Sequence, residues 1–424
     1  MSHHNEAASA GILVVGGGIS GLTAALEAAE VGHDVILVES QPSLGGRVSQ
    51  LNQYFPKLCP PTCGLEINFR RIKDNPRIKV LTMSSVSGVS GEPGAYTVTV
   101  KTAPRYVNEN CTCCGDCAKA CLTEVSNDFN FGMDCTKAAY LPHPMAFPQR
   151  YVISPKLIGT EDAKRVADAC QYNAVDLAMQ ETTREIKVGS IIWATGWKPY
   201  DAKKIDNLGF GQYDNIVTNM MMERMASESG PTAGKIVRPS DGTGPESVIF
   251  VQCAGSRDRN HLPYCSYICC MASLKQATYI REQYPDAKIT IFYIDMRAPG
   301  NRYEKFYKKI KADKNVFFVK GKVAEVCEDP ATKDIVVTAE NAVTGEKIRE
   351  SAQLVVLATG MQPTASECAP PASVCVSEEG FIVNDFARGG MFAAGCAAKP
   401  ADVVSSNQNA TGMALKAIQT LAKA

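Results

Sequence analysis

The chain has no excess of either charge: 44 Lys and Arg balance 44 Asp and Glu over 424 residues. That balance leaves no electrostatic footprint for nucleic acid or for an anionic membrane face. Long apolar runs are also missing. Apolar stretches such as residues 249–251 and 354–358 are strand-length, far below the ~20 residues a membrane-crossing helix needs. Residues 1–10 are polar and have neither the basic nor the apolar region of a secretory signal. A soluble, cytoplasmic protein is expected, and at this length two or three domains. Histidine is scarce, at five. His3 and His4 fall in a polar tail, His33 closes a helix, and His143 and His261 fall in loops, where structural rather than acid–base roles are expected.

Cysteine, by contrast, is abundant, at 17. In a reducing compartment these residues do not form a disulfide scaffold, and clustered spacing points to metal or redox chemistry. Scattered Cys327, Cys368 and Cys375 read as small buried apolar residues. Two dense groups do not.

The first sixty residues carry a nucleotide-binding pattern. An apolar run at 11–15 leads into Gly16-Gly17-Gly18-Ile19-Ser20-Gly21, a helical stretch at 22–31, and a second apolar run at 35–38 ending in Glu39. Strand, glycine turn, helix, strand and acid follow in the order a dinucleotide fold requires. Gly16 allows the tight turn, Gly18 lets the backbone approach a pyrophosphate, and Gly21 lets helix and strand pack closely. The helix start offers unpaired N–H groups to phosphate, and Glu39 is placed to accept ribose hydroxyls.

A second glycine pair follows in Ser43-Leu44-Gly45-Gly46-Arg47, Ala-Thr-Gly occurs at 194–196 and 358–360, and Phe392-Ala393-Ala394-Gly395-Cys396 precedes a helical stretch at 403–416. This set resembles the two-dinucleotide flavoproteins over nearly the whole chain, with Cys396 where that family usually has Asp. The resemblance implies an α/β, Rossmann-like fold and FAD held by Gly16, Gly18, Ile19, Ser20, Gly21, Glu39, Ser40, Gly45, Gly46, Arg47, Val86, Ala194, Thr195, Gly196, Gly395, Cys396 and Val403. The closing helix from Val403 is expected to turn its N-terminus to the flavin.

In that family a second unit takes NAD(P)H. Here a strand at 248–251, a helix at 272–284 and a strand at 289–293 supply its scaffold, but the first strand runs into Gln252-Cys253-Ala254-Gly255-Ser256-Arg257 instead of a glycine turn. Without glycines where the chain must bend to a pyrophosphate, NAD(P) is not expected. Cys253, Cys265, Cys269 and Cys270 stand in its place.

The other dense group, Cys111, Cys114, Cys117 and Cys121, has the C-x2-C-x2-C-x3-C spacing of bacterial ferredoxins. In that arrangement the fourth cysteine serves a second cluster, whose own motif would lie downstream. Only Cys170 remains of it. One [4Fe–4S] cluster on Cys111, Cys114, Cys117 and Cys170 is therefore expected, with Cys121 an orphan and Cys113 and Cys135 non-ligands. A zinc site, normally built from separated knuckles, is the competing reading. Strand-like residues 96–101 and 184–193 flank this segment and are expected to form one small sheet that it interrupts. The expected divisions are 1–102, 182–240 and 366–424 for the FAD-binding domain, 103–181 for the ferredoxin-like insert, and 241–365 for the degenerate NAD(P)-type domain.

Residues 251–258, 264–270, 291–297 and 303–307 together resemble the family of heterodisulfide reductase A-type subunits. That resemblance implies a second [4Fe–4S] cluster on Cys253, Cys265, Cys269 and Cys270; a buried thiol group in an abandoned nucleotide turn is the alternative. Cys59 and Cys63, one residue too far apart for a redox pair, are expected to be structural. The chain ends soon after the flavin helix, a truncated form most similar to the A-type subunits of the quinone-interacting membrane-bound oxidoreductases of sulfate reducers. The resemblance implies docking on related flavin and haem-bearing membrane subunits, and electron passage between menaquinone and adenylylsulfate reductase. Two further readings remain open: a soluble heterodisulfide reductase-type subunit, and a self-contained NAD(P)H-dependent thiol or polysulfide reductase.

Overall fold

A computed structural model describes residues 8–423, so His3 and His4 lie outside the described residues. The chain divides into two compact units, one formed by residues up to Ser49, Thr62–Trp197 and those from Pro363 on, the other by Gln50–Pro61 and Lys198–Gln362. Residues 198–240, expected with the FAD-binding part, fall in the second unit, as does the short excursion at 50–61.

The first unit opens with β1 (Ala8–Val15), α1 (Ile19–Glu30) and β2 (Val35–Val38). Every residue of β2 is buried, as a parallel strand covered on both faces requires. The helix starts at Ile19, ahead of the expected 22, because the glycine turn passes directly into it with Gly18 as its N-cap. Then come α2 (Thr62–Asp74), β3 (Ile78–Leu81), β4 (Ser84–Glu92), β5 (Ala95–Thr102) and β6 (Thr182–Trp193). They assemble in the order β3-β2-β1-β6-β5-β4. The separate small sheet expected for 96–101 and 184–193 does not form. With 12 residues, β6 is long enough to pair antiparallel with β5 (Ile186 opposite Val98) and parallel with β1 (Ile12 opposite Ser190).

Between β5 and β6 the insert has a core of its own, in which Val107, Ala138, Ile153, Leu157, Val166 and Ala174 pack with Cys117 and Cys121. Two short hairpin pairings (Glu124–Ser126 with Cys135–Lys137, and Ala139–Tyr140 with Val152–Ile153) and two short helices (Asp116–Ala120 and Glu161–Asp168) surround it. Thr102 and Thr182 face each other across the strands, so the insert leaves and re-enters the sheet at one point.

The second unit repeats the scheme. It contains β7 (Ile216–Thr218), α3 (Asn219–Ala226), β8 (Ser247–Ala254), α4 (Cys269–Gln283), β9 (Lys288–Tyr293), α5 (Asn301–Lys311) and β10 (Val316–Lys320), then β11 (Val323–Glu328), β12 (Ile335–Glu340), β13 (Lys347–Ala352) and β14 (Leu354–Thr359). The parallel sheet runs β10-β9-β8-β14-β7, and β11-β12-β13 form a small antiparallel sheet. The chain returns to the first unit with β15 (Met391–Ala393), parallel to β6, and α6 (Val403–Leu421), which packs on α1 and extends past the expected 416.

Candidate functional site

In each unit the strand order reverses beside the first strand, between β1 and β6 and between β8 and β14. Open α/β sheets bind their ligands at that switch point, off the carboxyl ends of the strands. Both ends carry the residues singled out above.

In the first unit, Gly16 has φ +110°, and a Cβ there would stand 2.3 Å from the Ala194 carbonyl oxygen. A Cβ on Gly21 would lie 1.7 Å from the Gly16 carbonyl oxygen. The second glycine pair runs alongside the first turn: Gly45 N–H donates to the Gly17 carbonyl at 2.9 Å, and a Cβ on Gly46 would come within 2.8 Å of Gly18 Cα. Gly18 caps α1 without a side-chain hydrogen bond, which leaves the helix's first N–H groups for an anionic ligand. Glu39 is buried; Oε2 accepts the Gly17 N–H at 2.6 Å and Oε1 the Gln41 N–H at 2.7 Å and the Ser40 hydroxyl at 3.2 Å. Burial raises its pKa, against those hydrogen bonds. Val86 lies on β4, whose first residue, Ser84, donates its N–H to the Glu39 carbonyl at 2.8 Å. Thr195 Oγ1 is buried without a partner, and Gly196 at φ +68° accepts the Thr364 N–H at 3.2 Å. Bare backbone, an uncapped helix and an orphaned hydroxyl are what a bound dinucleotide would cover and satisfy.

The C-terminal motif meets this turn. A Cβ on Gly395 would stand 2.1 Å from Ser20 Oγ. Cys396 is buried and turns to the Ala401 carbonyl (3.4 Å) and Ser406 (3.7 Å), with burial raising its thiol pKa. At the start of α6 the Asp402 carboxylate caps the helix, accepting the Ser405 N–H at 2.7 Å.

Sequence reasoning missed how the insert holds the second glycine pair. Leu44 N–H donates to the Phe147 carbonyl at 2.8 Å, Ser43 Oγ meets His143 Nε2 at 3.3 Å, and Arg47 lies over the Phe131 ring at 5.9 Å. Arg105, itself buried, reaches the Pro42 carbonyl and donates to Thr82 Oγ1 at 3.2 Å. No regular spacing announces these contacts.

Within the insert, burial pushes the Cys117 thiol up to about 12, and Cys111, Cys114 and Cys170 add to the rise. Those four thus share one neighbourhood, with Cys117 buried and Cys114 exposed. Cys170 Sγ accepts the Ala174 N–H at 3.3 Å. Cys121 points elsewhere, to the Thr123 carbonyl at 3.4 Å and Asp162 Oδ2 at 3.6 Å. Asp162 also accepts the N–H groups of Leu122 and Thr123, at 3.0 and 2.8 Å. Cys135 is exposed, and Cys113 is half-buried at φ +63°.

In the second unit, β8 ends in Cys253 and Ala254, and α4 begins at Cys269 rather than the expected 272. Cys269 and Cys270 therefore occupy its first turn. Burial drives the Cys269 thiol well up, reinforced by Cys270, Cys253 and Cys265; it also raises Cys253 to about 11, with Cys270 and Cys265 contributing. Cys269 Sγ lies 3.8 Å from the Thr359 carbonyl at the end of β14, so the thiols sit at this sheet's switch point. Among the described residues no group of three or more His, Cys, Asp or Glu side chains is placed to hold a metal ion. Cys59 is exposed, as is Cys63 in the first turn of α2.

Two dinucleotide-type crevices, one lined with bare glycine backbone, define a flavoprotein oxidoreductase, and residues 11–62 match the FAD dependent oxidoreductase family. The chain is similar to the A-type subunits of heterodisulfide reductases. It is 40% identical over 422 residues to the second A-type iron-sulfur subunit of the CoB--CoM heterodisulfide reductase of Methanopyrus kandleri, covering 97% of this chain and 64% of that protein. It is 37% identical over 435 residues to the A-type subunit of the ferredoxin/F(420)H(2)-dependent CoB-CoM heterodisulfide reductase of Methanosarcina acetivorans, covering 99% and 54%. It thus spans a little under two thirds of the one and about half of the other. The fold also resembles thioredoxin reductases of T. acidophilum (TM-score 0.53, 14% identity, 98% of each chain) and Lactococcus lactis (TM-score 0.53, 13% identity, 98% of this chain and 100% of that). Among the described residues no helix is long and apolar enough to cross a membrane.

Proposed function

We propose that the chain is a flavin and iron–sulfur electron-transfer subunit of a larger redox complex. It would hold FAD in its first crevice, one [4Fe–4S] cluster on Cys111, Cys114, Cys117 and Cys170, and a second on Cys253, Cys265, Cys269 and Cys270. Bound FAD supplies conversion between two-electron and one-electron transfer. The chain's own part is to hold these groups. Glu39 and the glycine turns would fix the nucleotide, and the insert clamps 43–47. No side chain is assigned as acid, base or nucleophile, and NAD(P) is not part of the reading. The observation that supports it is the grouping of thiols in two places: Cys111 and Cys170 pack on the small core that holds Cys117, and the Cys121 thiol is taken by Asp162.

The relatives' names, which describe iron-sulfur components of heterodisulfide reductases, support a role inside a multi-subunit complex. The similarity of this layout to the quinone-interacting oxidoreductases favours two kinds of partner: a haem- or quinone-interacting membrane subunit, together with a related flavin or iron–sulfur protein. Electrons would pass between the quinone pool and a cytoplasmic reductase, adenylylsulfate reductase in that assignment. The chain would sit on the inner face of the membrane through those partners.

The test is iron and acid-labile sulfide per flavin on anaerobically purified protein, with EPR of the reduced state. About eight irons per FAD are expected, falling to about four in Cys170→Ala and in Cys269→Ala. Flavin without iron after reconstitution would remove the reading in favour of an NAD(P)H-dependent thiol reductase.

A further inference from the structure

The turn that replaces the second unit's glycine loop carries a cation to its thiols. Cys253 and Arg257 both adopt left-handed backbone, φ +58° and +57°, which side-chain-bearing residues take up rarely. The turn between them is closed on itself: Arg257 N–H donates to the Tyr264 carbonyl at 3.0 Å, and Ser256 Oγ meets Ser266 Oγ at 2.8 Å. Its effect is to bring the Arg257 guanidinium, only 25% exposed, to the Cys253 thiol. One end of the guanidinium is spoken for, since Nη2 donates to Asp295 Oδ2 at 2.8 Å. The other is not: Nη1 is buried and has no partner among the described residues. A buried, charged donor without an acceptor is costly. The side chain it lies beside is the Cys253 thiol. Asp295 is tied to the same place from the other side, because its carbonyl accepts the Cys270 thiol at 3.6 Å.

We propose that Arg257 and Asp295 form a potential-setting pair for the cluster on Cys253, Cys265, Cys269 and Cys270. Arg257 donates through Nη1 to a cluster sulfur, and Asp295 offsets its charge. The inference rests on the electron-transfer reading above. A cluster held by four thiolates is net negative and gains one further negative charge when it takes up an electron. Net charge and hydrogen bonds to sulfur are what set such potentials. Arg257 favours the reduced form, and Asp295, by neutralising Arg257 and adding its own charge, limits that preference. The two residues therefore pull in opposite directions, which a purely structural ion pair would not do, since losing either partner of such a pair weakens the same fold.

The experiment is an EPR-monitored redox titration of the full chain with dithionite, comparing the unmodified protein with Arg257→Gln, Arg257→Lys and Asp295→Asn, and measuring iron and flavin in each. The second cluster's signal is the one missing from Cys269→Ala. At a fixed poise, Arg257→Gln is expected to hold about tenfold less of that cluster reduced, a midpoint ~59 mV lower for one electron. Asp295→Asn is expected to shift it the other way, and Arg257→Lys to recover part of the loss, while the insert's signal stays in place. If Arg257→Gln fails to retain iron, the opposite shifts of Asp295→Asn and Arg257→Lys decide the matter. With about eight irons per flavin in the unmodified protein, midpoints that do not move, or that move together, overturn the pair's role and leave the electron-transfer reading intact. An iron count of about four with no signal lost in Cys269→Ala removes the second cluster, and this inference with it.

Discussion

Two glycines show what the flavin crevice asks of single residues. A methyl group at position 21 would collide with the Gly16 carbonyl, whereas one at Gly64, in the first turn of α2, would meet nothing within 4 Å. Gly21→Ala is expected to weaken FAD binding at least about tenfold, ~1.4 kcal/mol, read as flavin lost on desalting. Gly64→Ala should retain flavin and gain at most ~1 kcal/mol of helix stability. Asp162 makes a second case. Burial pushes its carboxyl up, but hydrogen bonds from Thr123, Leu122 and Cys121 outweigh it and hold the pKa down at about 2. A carboxylate whose folded pKa is depressed stabilises the fold fully above its unfolded pKa of about 4, and the contribution disappears as pH falls through the folded value. Asp162→Ala is expected to lose ~1–3 kcal/mol at neutral pH, with the difference from the unmodified chain shrinking as pH falls through about 2; chemical unfolding at neutral and at acid pH measures it. Cys121→Ala, by contrast, should leave the iron content unchanged.

At the scale of elements, α4 brings its first-turn cysteines into place and is anchored at its middle by a buried ion pair. Lys275 Nζ lies 2.9 Å from Glu223 Oε2 on α3, each side chain 2% exposed, and donates to the Gln53 carbonyl at 2.7 Å. Glu223 also accepts from Gln276 at 2.6 Å, from Tyr279 at 3.3 Å and from the Asn52 N–H at 3.0 Å. Burial lowers the lysine's pKa. Lys275→Met strands a carboxylate in the interior and is expected to cost about 3–5 kcal/mol, while Lys275→Met with Glu223→Leu should fall nearer the unmodified stability; thermal melts distinguish them. None of this was legible in the sequence. The strands were, because four consecutive buried apolar residues in β2 or five in β14 admit few other readings. Helix starts were harder. In both α1 and α4 the sequence placed the start three residues late, since glycine, serine and cysteine at the head of a helix look like loop when judged by apolar spacing alone. The thiol grouping followed from spacing for Cys111, Cys114 and Cys117; Cys170, 53 positions beyond Cys117, had to be inferred from what a ferredoxin repeat leaves behind.

At the scale of the molecule, the insert is attached to the sheet by a single cross-strand pair, Thr102 opposite Thr182. Replacing 103–181 with Asn-Gly, the dipeptide that closes a two-residue hairpin, is expected to leave the rest of the chain folded and to remove about four irons per chain. FAD should also bind more weakly, because Leu44, Ser43 and Arg47 lose Phe147, His143 and Phe131. Iron analysis and flavin titration of the shortened chain check both parts. That second effect distinguishes an insert built into the flavin site from one merely hung beside it.

The late start of α4 has a further consequence for how such a protein can change. In a dinucleotide fold the helix begins at the glycine turn, but here 14 residues, 255–268, lie between the end of β8 and Cys269. Restoring glycines at 252–257 would therefore not restore a nucleotide site, because a 14-residue loop still separates the strand from the helix and two cysteines fill the helix's first turn. Shortening the loop and exchanging the cysteines would both be needed, so no single substitution is expected to turn this unit into a nucleotide site.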